Sequence, residues 1–559
     1  MRKIFDSEKI KNIIFNIVVI FCISLFAIAI SPKTLQNDTF YTIKIGEYIS
    51  QNGISDLKND HFSWHKLPYT YPHWLYDLGI YHIYKNFGQP GIYISTIIFT
   101  AFLGISIYLS SSKFSNNKPI SLIFTILALY MMKPYLAARA QLVTFILFSM
   151  TVYFIEMFLS THRKRYAFYL IIIPLLIANL HCAVFPFYFV LFLPYIAEYL
   201  WISIIDLDLD YRIITIILKL IVKFVPLKKD KKEKLSVKIL KISSVISKKK
   251  EKREVRRKNP YKIKVQKNSF TKWLILVVII ALFTGFLNPA GNGAYTYTYK
   301  TYQGNTTKSI NEHLPVTLID SKEFLGAICL FLGILIFTDT KIRLSDLFML
   351  VGLTALSLMS RRQISMFVIF CCPILVRLIS SMFEKYDSKT KQKLFNFVGS
   401  LSGALIIVLC FSIYTVDKLK KTKQVDYIDK ATYPVESADW MINNLDIKNI
   451  KIYNEYNYGS YLLFRGIPVF IDSRCDLYSP EFNENKKQGI EGRNIFSDAL
   501  DIAGIAVNYN NKFNEYGVTH VISYSNSKLV MLLKQDNGYK LIHEDDHFSI
   551  FERKNLNEK

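Results

Sequence analysis

A chain of 559 residues that is 51% hydrophobic, 15% aromatic and 20% charged excludes a disordered chain, a collagen-like fibre and a coiled-coil rod. Its mean hydropathy lies above zero, and its many long apolar runs are more than one soluble core can cover, so it reads as a polytopic membrane protein. The formal net charge of +25 sits mostly beside those runs, which is a pattern of membrane topology rather than of nucleic-acid binding.

Apolar runs fall at 13 to 30, 91 to 109, 119 to 136, 142 to 160, 166 to 181 and 184 to 204, then at 273 to 287, 323 to 338, 344 to 360, 364 to 380 and 398 to 416. A helix crossing the bilayer takes roughly 20 residues, and the expectation is about eleven transmembrane helices. The first run follows Arg2, Lys3, Lys9 and Lys11 and lacks a small-residue cleavage site, so it reads as a retained helix. A cytoplasmic N-terminus then places Lys113, Lys118, the run Arg163 to Arg165, Lys341, Arg343 and Lys385 to Lys393 inside, which favours this orientation.

The segment 206 to 272 carries 22 Lys and Arg against seven acids, including KKDKKEK and KKKEKREVRRK. It belongs in the cytoplasm, and its first part, 211 to 224, has Arg212, Lys219 and Lys223 on one helical face, the pattern of an amphipathic helix at a lipid surface. A nucleic-acid arm is the competing use, disfavoured because no aromatic residues interleave the charges. The expected organisation is a transmembrane module over 1 to 416, with a long first external loop at 31 to 90, and an external soluble α/β domain over 424 to 559. In that domain 434 to 445 reads as helix and KNIKIYN, IPVFIDS, THVISYS and FSIFER read as strands. The seven cysteines lie mainly inside apolar runs, only Cys475 being in a polar region, and their spacing supports neither a disulfide framework nor a zinc site.

Polar residues at the span ends fall on one side. Asp38 opens a helical pattern just after the first span, where it serves either as an N-cap or as a general base or metal ligand. Arg139 and Gln141 follow span three, Asn179 and His181 end span five, Asn288 ends span seven, Glu312 and His313 lie in the next loop, and Arg361 and Arg362 join spans nine and ten. Each is weak alone, but a shared side marks a substrate path.

The ordered set Asp38, YPHWL, ARAQ, ANLH, LNP, INEHLP, SRRQ and YNEYNYGSYLLFRGIPVFIDSRCDLY resembles the GT-C membrane glycosyltransferases, in an uncharacterised bacterial branch similar in layout to the protein O-mannosyltransferases and the lipid A aminoarabinose transferases. The resemblance implies a GT-C-like membrane enzyme that moves a sugar, with inversion, from a polyprenyl-phosphate-linked donor to an envelope glycan, lipid or protein acceptor on the external face. It implies Asp38 as the base or acceptor-orienting acid, and Arg139 with Arg361 or Arg362 as groups for the carrier phosphate. His73 stands where relatives often carry an acid, which leaves Asp60 and Asp77 as substitutes. Members differ in divalent metal use, so the cofactor stays open. Asp472, Arg474 and Asp476 of FIDSRCDLY serve either as sugar or acceptor contacts or as a structural salt-bridge network. Membrane lipids are expected partners and nucleic acid is not. The competing functions are an oligosaccharide polymerase or ligase of the cell envelope, which places its main loop late in the chain, and a transporter, for which no inverted repeat is present.

Overall fold

The computed structural model describes residues 8–54, 57–207, 209–224, 231–242, 244–245, 262–265, 268–303, 310–317, 319, 321–482 and 494–554. Every apolar run named above falls mainly on helix, but among the described residues six helical segments are long and apolar enough to cross a membrane: Glu8–Ile30, Trp74–Ser115, Ala140–Thr161, Cys182–Ile202, Arg361–Tyr386 and Leu401–Lys423. The other apolar helices, such as Thr271–Leu282 and Lys322–Phe337, are shorter, so the structure carries fewer full-length spans than the eleven expected. The first tightens into the 3-10 turn Phe283–Phe286 ahead of Pro289, and the second is capped at Thr338.

The long helices are apolar all round because they have two apolar neighbours. Glu8–Ile30 buries Phe15, Val19, Cys22 and Phe26 on one face and exposes Ile13, Ile17, Ile20 and Phe21 on the other, a stripe that lipid satisfies and water does not. Its inner face meets Leu401–Lys423, where Phe26 packs on Phe411 and Tyr414, and it meets Trp74–Ser115 at Gly104, where an added Cβ would lie 2.7 Å from Ile23. Trp74–Ser115 is two helices meeting at Gly88, whose φ of 60° and ψ of −155° break the helix two residues before Pro90. The expected span at 91 to 109 is its second half.

Loops gather at two ends of the bundle. At one, His162 stacks on Phe270 at 3.7 Å, strand β1 (Ile263–Lys264) pairs in parallel with β2 (Ile342–Arg343), and Lys385 pairs with Asp339. The basic segment therefore returns beside Arg163, Lys164 and Lys341. Its helix Leu209–Phe224 is present, with Ile214, Ile216, Ile217 and Leu220 exposed; the KKKEKREVRRK run lies outside the described residues.

At the other end stand the first loop and the C-terminal unit. A four-stranded sheet, in the order β3 (Ile452–Tyr453), β4 (His520–Tyr524), β6 (Phe548–Arg553), β5 (Tyr539–Glu544), has a parallel β3–β4 pair and antiparallel pairs beyond it. The expected helix appears as Val435–Asn444. IPVFIDS joins no sheet. It runs beside the first loop, with one bridge from Ser63 to Val469 and Val469 N–H donating to Phe62 O at 3.4 Å, so its apolar residues are buried without a ladder. β5 is a strand that alternation missed, because its YKLIHE sequence is that of a polar edge strand. The two regions share one core: Phe40 meets Tyr433, Tyr461 and Phe464 at ring separations of 4.9, 5.1 and 5.6 Å.

Candidate active site

A cavity of about 1070 Å³ opens where the bundle meets this composite unit. Asp38 belongs to the helix Asn37–Asn52, whose cap residue is Gln36. It is therefore a first-turn acid rather than the N-cap, favoured there by the helix dipole, and its side chain is free to reach outward. Arg139, at the cap of Ala140–Thr161, places Nε 3.0 Å from Asp38 Oδ2 and Nη1 3.4 Å from Glu312 Oε1. Burial works against the Arg139 charge, but the Asp38 and Glu312 carboxylates outweigh it and hold the guanidinium above its ordinary range.

Asp38, Arg139, Gln141, His73, His181, Glu312, Arg362, Arg474 and Asp476 all contribute to the cavity lining. Arg362 and Arg361 occupy the short turn between Leu344–Met359 and Ile364–Tyr386, and they part company there. Arg361 is drawn to the neighbouring loop, its N–H bonding Leu314 O at 3.0 Å, its Nε reaching Pro315 O at 3.4 Å and its carbonyl accepting from Tyr135 at 2.8 Å. Arg362 faces the cavity. Burial, then the neighbouring His73 and Arg362, push the His181 imidazole well below its ordinary value, and its Nδ1 lies 2.8 Å from Thr144 Oγ1. Burial and then Arg362 lower His313 in the same way. Burial raises the Asp476 carboxyl, which accepts from Thr301 Oγ1 at 3.3 Å.

Besides Arg361, four expected residues lie elsewhere. Asp60 and Asp472 are withdrawn from the cavity, because both grip the buried Arg474: its Nη1 is 2.8 Å from Asp60, and its Nε and Nη2 are 2.9 and 2.6 Å from Asp472. All three side chains are 0% exposed. Tyr478 donates to Asp472 at 2.5 Å, and Phe62 and Tyr69 flank the guanidinium at 5.4 and 5.1 Å. Of the two readings of FIDSRCDLY, the geometry gives Asp472 and Arg474 to a salt-bridge network that borders the cavity at Arg474, and Asp476 to the cavity wall. Asp77 is also fully buried, behind His73. Asn288 builds its own turn, donating to Gly285 O at 2.5 Å and accepting from Ala290 N–H at 2.8 Å.

The sequence missed the aromatic wall: Tyr41, Tyr69, Tyr297 and Tyr456 line the cavity. Tyr41 had a signal, since it lies three residues after Asp38 on a helix and so on the same face. Among the described residues no three His, Cys, Asp or Glu side chains form a metal-binding group. Apolar side chains of the bundle, Phe187, Val190, Leu353, Leu356, Met366 and Phe370, also line the cavity.

No protein-family model matches this chain, and no curated protein matches it in sequence. Among solved structures its fold is similar to that of the oligosaccharyltransferase of Archaeoglobus fulgidus in the apo form, with a TM-score of 0.51 and 12% identity over 93% of this chain and 70% of that one. At that identity the likeness is one of fold, and it agrees with the GT-C-like fold that the sequence resemblance implies.

Proposed function

We propose that this chain is a membrane glycosyltransferase that moves a sugar, with inversion, from a polyprenyl-phosphate carrier to an envelope acceptor on the external face. One observation carries the reading: one cavity is lined both by apolar side chains of the bundle helices and by polar groups that include Asp38, Arg139 and Arg362. A polyprenyl phosphosugar combines the same two characters. Its hydrocarbon tail needs a route into lipid, its phosphate needs a cation, and its sugar needs hydrogen-bonding groups.

Arg139 is engaged by two carboxylates. Arg362 has no ion pair with a carboxylate among the described residues, which leaves its planar fork for phosphate. In transfer, the C–O bond to the carrier phosphate breaks, and a guanidinium on the departing oxygens stabilises the charge that develops. Asp38, fixed by Arg139, accepts a hydrogen bond from the acceptor hydroxyl and aligns it for attack on the opposite face of the sugar. The end bearing this cavity is external in this reading, the basic loops at the far end are cytoplasmic, and Leu209–Phe224 rests on anionic lipid.

Transfer from a diphosphate carrier is the second reading, favoured by the fold likeness to an oligosaccharyltransferase. Binding of undecaprenyl phosphate and of undecaprenyl diphosphate to the full chain in nanodiscs separates them. The first reading expects the monophosphate to bind at least as tightly, and Arg362→Gln to weaken it about tenfold or more, as for loss of a charged hydrogen bond worth about 1.5 to 3 kcal/mol. A diphosphate preference of tenfold would move the assignment to the second reading, and binding of neither would overturn both.

A further inference from the structure

Asp38 meets the cavity with Oδ2 already taken up by Arg139, an arrangement that aligns a hydroxyl but does not by itself show where the hydroxyl's proton goes. One turn further along the same helix, the Tyr41 hydroxyl lies 3.0 Å from His73 Nε2, and His73 Nδ1 lies 2.7 Å from Asp77 Oδ1. Tyr41 and His73 line the cavity, at 8% and 7% exposure, and Asp77 stands behind them at 0%. The line therefore runs from cavity to interior as phenol, imidazole, carboxylate.

The sequence builds this line deliberately close. Gly46 sits where the helix Asn37–Asn52 crosses the start of Trp74–Ser115, and a Cβ there would come within 2.1 Å of the Asp77 carbonyl oxygen and 2.6 Å of Tyr81. Glycine lets the two backbones approach until Tyr41 reaches His73. A carboxylate on Nδ1 fixes the imidazole tautomer with Nδ1 protonated, so Nε2 is the acceptor and the Tyr41 hydroxyl is the donor.

We propose that Tyr41, His73 and Asp77 form a relay that removes the acceptor's proton during sugar transfer. The acceptor hydroxyl gives its proton to Tyr41 Oη as Tyr41 gives its own to His73 Nε2. The acceptor oxygen bonds to the anomeric carbon, and the bond from that carbon to the carrier oxygen breaks with its electron pair left on the phosphate. Tyr41 is the catalytic residue of this set; His73 and Asp77 are positioning residues that act through it. The inference rests on the transferase reading above.

Two further features agree with it. Burial, then Asp38, keep the Tyr41 phenol far above its ordinary value, so it passes a proton on without resting as phenolate. Burial works against a charge on His73, but Asp77 outweighs it and raises the imidazole, as a proton acceptor requires. The groups that face His73 are Asp77 and Tyr76 on its own helix, Asp38 and Tyr41 on Asn37–Asn52, and the His181 ring at 6.1 Å. Because the relay works from neutral His73, transfer should decline as pH falls through the folded-state value of that imidazole.

The test uses the full chain in nanodiscs with ¹⁵N-labelled histidine, the His73 signals being assigned by their loss in His73→Gln. Nitrogen NMR across pH should show Nδ1 protonated in the neutral ring, and Asp77→Asn should lower the His73 titration by about one pH unit or more, as loss of a partner carboxylate does. A neutral ring protonated at Nε2, or a titration unmoved by Asp77→Asn, would overturn the relay whatever the reaction is. Transfer is then followed from radiolabelled undecaprenyl-phosphoryl hexose. Tyr41→Phe should cut kcat about a hundredfold with KM within about twofold, and should remove the acid-side fall in rate. Unchanged kcat in Tyr41→Phe would overturn the relay, whereas absence of transfer by the wild-type chain, with the NMR pattern as expected, would overturn the transferase reading instead.

Discussion

Two sets of the same composition, one arginine between two carboxylates, stand in the polar half of the molecule and end in opposite circumstances. Arg474 with Asp60 and Asp472 is 0% exposed, with Nε, Nη1 and Nη2 all directed at carboxylate oxygens. Arg139 with Asp38 and Glu312 is 26%, 24% and 50% exposed and lies on the cavity wall. Residue type does not separate a lock from a working site. Access does, together with whether any donor or acceptor is left over for a ligand. Arg474 joins the first loop to the C-terminal unit, and so holds the platform on which Asp38 stands.

The largest effect that tests this contrast is on folding. Arg474→Met keeps most of the volume but leaves Asp60 and Asp472 buried and unpaired, and breaking a buried pair in this way costs about 3 to 5 kcal/mol. Thermal unfolding of the full chain in detergent should show the first loop and C-terminal unit melting early, with poor recovery of folded protein. A melting profile equal to wild type would break the distinction between the two sets.

Asp38→Asn addresses the exposed set and should spare the fold, since Asn keeps the shape and Asp38 is not the helix cap. Transfer of labelled sugar from polyprenyl phosphate, in membranes with matched protein, should fall by about a hundredfold or more, the scale of misplacing a reacting group. Near-equal turnover would reduce Asp38 to a first-turn acid that merely suits the helix dipole, and the two sets would then differ only in burial.

How far the sequence could foresee this depends on the range of the interaction. The helices were legible because apolar runs are local, whereas the expected common side of the polar span ends rested on an alternation of eleven spans, more than the six full-length ones among the described residues. The break at Gly88 and the irregular course of IPVFIDS were not, since Val, Phe and Ile in a short run bury equally well in a strand or in a packed loop. The fates of Asp60 and Asp472 were illegible for another reason: Asp60 meets Arg474 across more than four hundred residues of chain, and no periodicity reports such a contact. His73 was noticed only as a departure from a family pattern. Its place between Tyr41 and Asp77 required two helices to be brought together at Gly46, although the spacing of His73 and Asp77, four apart on one helix, was already a local hint.

The smallest expected effect sharpens the comparison most, because it involves adjacent residues of one kind. Arg361 and Arg362 are indistinguishable in SRRQ, yet the turn sends them different ways: Arg361 Nε reaches Pro315 O at a long 3.4 Å, while Arg362 lines the cavity. Arg361→Gln leaves the backbone bonds to Leu314 and Tyr135 in place, so the turn that presents Arg362 should keep its course. Undecaprenyl phosphate affinity, measured beside that of Arg362→Gln, should stay within about twofold of wild type, since a cation directed away from the site contributes only a screened long-range field. Equal losses in the two variants would mean that both guanidinium groups reach the phosphate, and that the cavity presents a two-arginine clamp rather than the contact from Arg362 on which the monophosphate reading depends.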